Sequence, residues 1–399
     1  MRGIVVGQGR NGAVAAWRDS KSVLERFNHL EENNHGGLEG WKAIKIVSAP
    51  PNGRLRSMRP HDVVKEALVL KALECPYIAR LLKYMYDTEL FEHHLYLPLF
   101  AMSLADLLRD HLFPSTFTST VVTYQLLSAL SYLSQRGVSH RDINPSNLLV
   151  DFRGNLKLVD FGTVYLLSPR NYEAVQQQEN KDDMCCEVGT ASYRAPELLF
   201  SSFKYDAQAV DLWAAGCVIA QLFRPFTYLP TSPPVRIDER DQKDPFEAHI
   251  RPQKEPGSVK EEGERQPLFD ATFGSLGLAA SIFKIRGTPT DDNWPDFTCL
   301  PDAGKISFPT STPIPLSSSH LLPGLNALAG HADDATNVID GLLQLDPKKR
   351  RLAQDVLKND WLTKTDTYDD PCLVKWVERA KEVYNGIDRQ GGNYASAVF

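Results

Sequence analysis

The stretch His140–Asn147 reads HRDINPSN, and the triplet DFG follows it at Asp160–Gly162. Asp142 carries a carboxylate that can accept a proton from an attacking hydroxyl group. Asn147 and Asp160 offer the hard oxygen ligands that suit a phosphate-bound magnesium ion. A loop and the hairpin after it can deliver these groups to one cleft. They predict a centre for phosphoryl transfer, because positioning and charge neutralisation do most of the catalysis in that reaction.

The bulk composition excludes several classes of protein. The chain has 399 residues, enough for two lobes with separate cores. Its 44 Lys and Arg against 50 Asp and Glu give a net charge of −6, so we expect no nucleic acid and no anionic membrane as partner. The longest nearly apolar run, residues 210–223, is too short to span a bilayer. The N-terminus lacks the apolar core of a secretory signal, which predicts a cytoplasmic or nuclear location.

A glycine-rich segment near the N-terminus predicts a phosphate-binding turn. Residues 7–14 read GQGRNGAV and lie between two runs that favour β-strands. Glycines without side chains let backbone amides approach phosphate groups closely. A dinucleotide-binding fold would need a helix directly after this segment. A predicted strand follows it instead, which argues against that fold and favours another way of binding a nucleotide.

Further motifs follow in the order found in eukaryotic protein kinases. Residues 195–197 read APE, residues 211–216 read DLWAAG, and residues 346–350 read DPKKR. With the motifs above, they extend from residue 3 to about residue 363. The chain therefore resembles a eukaryotic protein kinase. The resemblance implies an α+β, two-lobed fold, with a small β-rich N-lobe containing one key helix and a larger, mostly helical C-lobe.

The resemblance also implies a division of the chain. Residues 1–100 are expected to form the N-lobe, residues 101–363 the C-lobe and residues 364–399 a C-terminal tail. Two polar segments, residues 20–40 and 231–266, are expected to be loop-like insertions. The apolar spacing predicts strands over residues 4–6, 13–17, 41–47 and 95–99, and helices over residues 61–73, 120–135, 211–223, 333–345 and 353–362. One amphipathic run, residues 373–384, lies in the tail.

The kinase resemblance assigns roles to individual residues. Asp142 would orient the substrate hydroxyl, Lys45 would hold the phosphates, and Glu66 would pair with Lys45. Arg350 would pair with Glu197. The remaining catalytic candidates are Asn144 and Thr190, and the metal ligands would be Asn147 and Asp160. The nucleotide-binding candidates are Val6, Gly7, Gln8, Gly9, Gly12, Val14, Ala43, Lys45 and Leu149. ATP and Mg²⁺ are the implied cofactors, and a protein serine or threonine is the implied acceptor.

Asn144 departs from the kinase pattern, because serine/threonine kinases normally carry lysine there to steady the transferring phosphate. An asparagine can donate a hydrogen bond but carries no charge. Loss of a comparable contact in other enzymes lowers the rate roughly 10²–10³-fold. We therefore expect reduced activity, and a pseudokinase scaffold that binds partners without transferring phosphate remains an alternative.

Cys185 is the second departure, because it occupies the position at which cyclin-dependent kinases carry an activating threonine. Arg141 would normally bind the phosphate on that threonine, so it needs another anionic partner here. The sequence offers Asp182, Asp183 and Glu187 as candidates. We expect the activation segment, residues 160–197, to be ordered without phosphorylation. The alternative is that these acidic residues form a solvated loop.

Three features are similar to the cyclin-dependent kinase branch. Residues 193–197 read YRAPE, residues 287–295 read GTPTDDNWP, and a long insertion follows Phe223. The helix that begins HDVVKEA at residue 61 lacks the usual cyclin-contact signature. With the missing threonine, these features resemble the single-subunit fungal CDK-activating kinases. That resemblance implies a monomer, active without cyclin, with a cyclin-dependent kinase as its candidate substrate. The alternative is a cyclin-dependent-type kinase that needs a regulatory subunit.

Overall fold

The computed structural model describes residues 4–9, 12–18, 36–49, 60–168, 172, 179–228, 263–317, 320–363 and 371–389. Most of both predicted insertions, residues 20–35 and 231–262, lies outside these ranges, as do the last ten residues of the tail. For residues 4–9 the backbone alone is described.

An antiparallel five-stranded sheet and one helix form the N-terminal lobe. The strands have the spatial order β1-β2-β3-β5-β4. Asp62 begins the helix, because its side chain accepts a hydrogen bond from the backbone amide of Lys65 at 2.9 Å. The elements are β1 (Ile4–Gly9), β2 (Gly12–Arg18), β3 (Trp41–Ser48), α1 (Val63–Ala72), β4 (Lys83–Asp87) and β5 (Glu92–Pro98).

The C-terminal lobe is mostly helical and surrounds the nearly fully buried helix α5 (Ala207–Leu222). Its short strands are β6 (Met102–Ser103), β7 (Val138–Ser139), β8 (Leu148–Val150), β9 (Leu156–Leu158), β10 (Tyr165–Leu166), β11 (Phe226–Tyr228) and β12 (Gly263–Arg265). Its other helices are α2 (Leu104–Leu107), α3 (Thr116–Gln135), α4 (Pro196–Leu199), α6 (Gly274–Arg286), α7 (Ala332–Leu342), α8 (Ala353–Val356) and α9 (Pro371–Arg389). The predicted two-lobed α+β arrangement is confirmed.

Several predicted elements have different ends in the structure. Helices α3 and α5 begin earlier than predicted, because the side chains of Ser115 and Asp206 cap backbone amides before the apolar run starts. Residues 353–362 form only the short helix α8 followed by turns. The sequence prediction missed β4, whose apolar content is low. It also assigned residues 263–266 to a loop, whereas residues 263–265 form β12 and pair with β11.

The tail helix α9 packs against both lobes. Its apolar residues Leu373, Val377, Ala380 and Tyr384 are buried. The ring of Tyr384 lies 5.4 Å from that of Trp41 in β3 and 6.3 Å from that of Phe152, which follows β8. The indole Nε1 of Trp376 donates to Asp110 Oδ2 at 2.7 Å. The amphipathic run found in the sequence is therefore an integral part of the folded domain.

We expect Tyr384→Ala to destabilise the protein by about 3–4 kcal/mol, because it removes a buried aromatic side chain that bridges the lobes. Urea unfolding of wild type and variant measures this loss. Val374→Ala on the same helix is the matched control, because Val374 is 49% exposed and should change stability by less than about 0.5 kcal/mol. Equal unfolding midpoints for Tyr384→Ala and wild type would show that α9 does not dock.

Candidate active site

A buried carboxylate on α5 holds the loop of residues 140–147, which we call the catalytic loop. The backbone amides of His140 and Arg141 donate to Asp211 Oδ2 and Oδ1, each at 2.7 Å. Burial raises the pKa of Asp211 to about 7, although both amide hydrogen bonds act in the opposite direction. Arg141 has a φ of 65°, a left-handed conformation that costs about 1–3 kcal/mol for a residue with a side chain. The two bonds to Asp211 help to hold this loop conformation.

Three donors converge on the carboxylate of Asp142. The hydroxyl of Thr190 donates to Oδ1 at 2.6 Å, and the side-chain amide of Asn147 donates to Oδ2 at 3.0 Å. The side-chain amide of Asn144 donates to Oδ1 at 3.1 Å. The structure therefore brings Asp142, Asn144, Asn147 and Thr190 together, and the position of the carboxylate is fixed from three sides.

Asn144 forms part of the loop architecture. Besides its bond to Oδ1, its amide donates to the carbonyl oxygen of Asp142 at 3.1 Å and contacts the hydroxyl of Thr190 at 3.3 Å. Its side-chain oxygen accepts from the amide of Ser146 at 2.9 Å and caps the 3₁₀ turn Pro145–Asn147. The residue is buried. Its hydrogen bonds orient Asp142 and Thr190, a use that the sequence pattern did not reveal.

A half-buried lysine joins the two lobes. Lys45 Nζ on β3 lies 2.9 and 2.8 Å from the carboxylate oxygens of Glu66 on α1, and 2.7 Å from Asp160 Oδ1. Burial alone would lower the pKa of Lys45, but the two carboxylates outweigh it and the pKa is raised. Burial would likewise raise the pKa of Asp160, whereas the charge of Lys45 holds it below its usual value. Burial raises the pKa of Glu66, and the charge of Lys45 offsets that effect only in part.

Helix α1 also contacts the DFG turn directly. The amide of Asp62 donates to the carbonyl oxygen of Gly162 at 2.9 Å. A Cβ atom at position 162 would lie 2.8 Å from His61 Nδ1, so glycine permits this close approach. The contact couples the position of α1, and with it Glu66, to the position of Asp160.

The oxygens at this end of the cleft fit a magnesium ion. The amide nitrogen of Asn147 is used in bonds to Asp142, which leaves its carboxamide oxygen to face a cation. Asp160 adds a carboxylate, and Mg²⁺ prefers such oxygen ligands. Among the described residues no group of three or more His, Cys, Asp or Glu could hold a metal. A cation here would therefore complete its coordination with phosphate oxygens and water.

The predicted nucleotide-binding residues lie on strands β1, β2 and β3 of the N-terminal lobe and on β8 of the C-terminal lobe. Val14 in β2 pairs with Lys45, and Ala43 lies two residues earlier on β3, so the three side chains share one face of the sheet. Leu149 in β8 pairs with Ser103 of the segment that joins the lobes. Gly7, Gly9 and Gly12 form the hairpin between β1 and β2, with Gly9 opposite Gly12. The side chains of Val6 and Gln8 lie outside the described part.

The anionic partner of Arg141 is Glu179, and none of the three predicted carboxylates takes that place. Arg141 Nη1 and Nη2 each lie 2.7 Å from one oxygen of Glu179, and Nη1 also donates to the hydroxyl of Tyr205 at 3.0 Å. The amide of Cys185 donates to Glu179 Oε2 at 2.9 Å. Glu179 thus lies beside Cys185, the residue predicted from the sequence to occupy the position of the activating threonine.

A tight turn explains why the sequence prediction named the wrong carboxylates as partners of Arg141. The amide of Asp183 donates to the carbonyl oxygen of Asn180 at 2.9 Å, so the chain reverses and Glu179 comes to lie beside Cys185. Asp182 lies on the outside of this turn and pairs with Lys204 at 2.8 Å. The carboxylate that reaches Arg141 is therefore the one on Glu179, which comes before the turn in the sequence.

The pair between Glu179 and Arg141 is embedded in a wider electrostatic contact. Burial would raise the pKa of Glu179, but the hydrogen bond and charge of Arg141 outweigh it, with a smaller contribution from Lys65 on α1, and hold the pKa below its ordinary value. Lys65 is itself buried. One carboxylate thus interacts with the catalytic loop, with the activation segment and with α1.

A second buried ion pair closes the activation segment. Arg350 Nη1 and Nη2 each lie 2.7 Å from one carboxylate oxygen of Glu197. The sequence motifs predicted this pair, and the structure confirms it. It fixes the end of the segment that begins at Asp160.

This chain is similar to known proteins along most of its length. A family model for the protein kinase domain matches residues 39–362. Cyclin-dependent kinase D-1 from Arabidopsis thaliana is 27% identical over 375 residues, 93% of this chain and 72% of its own. Serine/threonine-protein kinase ppk23 from Schizosaccharomyces pombe is 28% identical over 363 residues, 88% of this chain and 75% of its own.

A solved structure shares the overall fold. It is a chain of the yeast RNA Pol II CTD kinase CTDK-1 complex, with a TM-score of 0.62 and 20% sequence identity over 93% of this chain and 95% of that chain. The family match shows that this chain belongs to the protein kinase domain family. The two relatives described above are named as a cyclin-dependent kinase and a serine/threonine-protein kinase. Protein kinases act on protein substrates.

The described helices give no sign of a membrane span, since none combines the length and the apolar character that crossing a bilayer requires.

Proposed function

We propose that the chain transfers the γ-phosphoryl group of ATP to a serine or threonine of another protein, with Asp142 as the catalytic base. The observation that carries this proposal is the set of three donors, from Asn144, Asn147 and Thr190, that orients the Asp142 carboxylate. The carboxylate orients the acceptor hydroxyl and takes its proton as the new oxygen–phosphorus bond forms.

The other residues bind and position the nucleotide. Lys45 contacts the phosphates, and Glu66 holds Lys45 in place. Asn147 and Asp160 would bind Mg²⁺, which neutralises phosphate charge when bound. The backbone of the hairpin that contains Gly7, Gln8, Gly9 and Gly12 covers the phosphates. Val6, Val14, Ala43 and Leu149 enclose the base.

The proposed organisation follows the sequence division. Residues 1–100 act as the N-lobe, residues 101–363 as the C-lobe and residues 364–399 as the tail. The cleft between the lobes holds the nucleotide. We place the protein in the cytoplasm or nucleus, where kinases of this branch meet their substrates.

We further propose that the chain is a CDK-activating kinase that works as a monomer without cyclin. Two contacts support independence from a partner. Lys45 pairs with Glu66 within the single chain, so α1 already has the position that catalysis requires. Glu179 supplies the negative charge beside Arg141 that a phosphothreonine supplies in cyclin-dependent kinases.

The test uses the purified chain, magnesium-ATP and an unphosphorylated cyclin-dependent kinase as acceptor. We expect phosphate on the activation-segment threonine of the acceptor and none on an acceptor in which that threonine is alanine. Phosphate on both acceptors would show that the chain is a kinase with another target. Transfer only after a cyclin is added would favour the alternative of a kinase that needs a regulatory subunit. The structural neighbour, which was solved as part of a complex, supports that alternative.

We expect Asn144→Ala to lower kcat roughly 10- to 100-fold, because a hydrogen bond to a charged group contributes about 1.5–3 kcal/mol. The KM for ATP should stay near its wild-type value, since the bonds of Asn144 orient Asp142 and Thr190. Steady-state kinetics separates the two constants. Ser146→Ala in the same turn is the control, because its described bond uses the backbone amide alone. An unchanged kcat for Asn144→Ala would remove this positioning role.

A further inference from the structure

A groove beside the catalytic residues is large enough to hold a segment of substrate. It has a volume of about 680 Å³, and Asn144 and Thr190 line it at the end next to Asp142. Residues 105–109, the 3₁₀ turn Ala191–Tyr193 and residues 264–272 form its other sides. The volume lies within the range of protein binding sites. Whatever enters the groove would therefore lie next to the proposed phosphoacceptor.

One wall of the groove is formed by the end of the second insertion. Strand β12 is fixed to the C-lobe, because the amide of Arg265 donates to the carbonyl oxygen of Leu108 at 3.1 Å. The side-chain amide of Gln221 donates to the carbonyl oxygen of Arg265 at 2.6 Å. Arg265 Nη1 reaches the carbonyl oxygen of Asp110 at 3.1 Å. The insertion thus ends as an ordered part of the groove.

The arginines of the groove are held mainly by neutral acceptors. Arg224 donates to the carbonyl oxygens of Gln266 and Leu321 at 3.4 and 2.9 Å. Arg265 donates to two carbonyl oxygens in the turn after α2. Within the described ranges, neither guanidinium forms a salt bridge with a carboxylate. Carbonyl oxygens satisfy hydrogen bonds but do not neutralise charge, so both arginines keep a positive charge at the groove.

The carboxylates of the same wall have neutral partners. Glu264 accepts from the side-chain amide of Gln266 at 2.8 Å, and Asp270 accepts from the hydroxyl of Thr272 at 2.6 Å. A third arginine, Arg109, lines the groove and is 65% exposed, with one weak contact to Asp106 at 3.6 Å. The lining therefore has three arginines and two carboxylates, an excess of one positive charge.

We propose that this groove selects protein substrates with an acidic side chain close to the phosphorylated serine or threonine. Arg224 and Arg265 bind the carboxylate, and Arg109 strengthens the attraction at the rim. Partly buried guanidinium groups suit this role, because they bind carboxylates through paired, charge-assisted hydrogen bonds. The proposal rests on the proposed kinase function and specifies its substrate class.

The test compares peptides that share one serine and differ at a single flanking position, Asp in one and Asn in the other. The ratio of kcat/KM for the Asp and Asn peptides is measured at each position. We expect wild type to prefer Asp about 10-fold at one or more positions, as one charge-assisted hydrogen bond allows. Arg224→Gln and Arg109→Gln should each lower this ratio at least about 3-fold. Arg80→Gln, an exposed residue outside the groove, is the control.

A variant with a reversed charge at position 265 distinguishes a change of substrate specificity from a loss of folding. Two further peptides carry Lys or Gln at the position where wild type prefers Asp. The Arg265→Glu variant should phosphorylate the Lys peptide with a higher kcat/KM than the Gln peptide. An unfolded protein cannot show this gain. Transfer to all peptides with equal efficiency would overturn the proposal and leave the kinase function intact. An unchanged Asp preference in all three arginine variants would also overturn it. Absence of transfer to every peptide would overturn the proposed function and this inference with it.

Discussion

Asp142→Asn is expected to lower kcat about 10³-fold, within the range that general-base catalysis contributes. The variant keeps the shape of the side chain, and Thr190 and Asn147 can still contact it. A carboxamide cannot accept the proton of the acceptor hydroxyl at neutral pH. The loss should therefore appear in the chemical step, and ATP affinity should remain near the wild-type value. Single-turnover phosphate transfer at saturating ATP measures this step directly.

Two comparisons make that result specific to Asp142. Asp296→Asn changes a carboxylate that pairs with Lys348 at the surface, and it should leave kcat within about 2-fold of wild type. Nucleotide binding by Asp142→Asn, measured by titration, should resemble that of wild type. A kcat for Asp142→Asn within about 10-fold of wild type would mean that another group acts as the base.

Glu179→Gln is expected to lower kcat/KM about 10²-fold or more. The side chain of Arg141 is fully buried, and removing the charge of its partner leaves a buried cation uncompensated, at a cost of about 3–5 kcal/mol. The substitution should destabilise the ordered state of the activation segment, because Glu179 also accepts a hydrogen bond from the backbone amide of Cys185. The segment should then populate its active arrangement less, and limited proteolysis between residues 179 and 190 should become faster.

The matched control for Glu179→Gln is Asp182→Asn. Asp182 was a predicted partner of Arg141, yet it pairs with Lys204 at the surface, so its loss should change kcat/KM less than about 3-fold. The reverse result, a large loss for Asp182→Asn and none for Glu179→Gln, would contradict the assignment of Glu179.

The same ion pair gives an expected pH dependence. The pKa of Glu179 in the folded protein lies below its ordinary value, so its stabilising effect is complete above the usual carboxyl pKa of about 4.3. The effect is lost only as the pH falls through the lower pKa of the folded protein. Protection of residues 179–190 from proteolysis should therefore be constant through the neutral range.

The motifs predicted those parts of the site whose partners are fixed by the fold. Lys45 and Glu66 are distant in sequence, as are Glu197 and Arg350. Each of these residues lies at a set position in the order of strands and helices of the kinase fold. The order of the motifs was therefore enough to predict both ion pairs, and the structure shows both. The side chains around Asp142 could be identified for the same reason.

Local geometry decided what the sequence did not reveal. The turn at residues 180–183 brings Glu179 beside Cys185, and a hydrogen bond within a turn leaves little trace in residue type. Asn144 was identified as a departure from lysine, but only the folded structure shows that its amide points at Asp142 and Thr190. The docking of α9 depends on the side chains of Trp41 and Phe152, which no periodicity in the tail specifies.

The most direct measurement is phosphate transfer by the purified chain alone, freed of any phosphate by a phosphatase and checked by intact mass. The central claim is that Lys45–Glu66 and Arg141–Glu179 assemble the active site without a phosphate or a partner. We predict transfer from magnesium-ATP to a protein serine or threonine at a rate that phosphatase treatment does not change. Transfer that stops after phosphatase treatment, or that begins only when a second subunit is added, would contradict the claim.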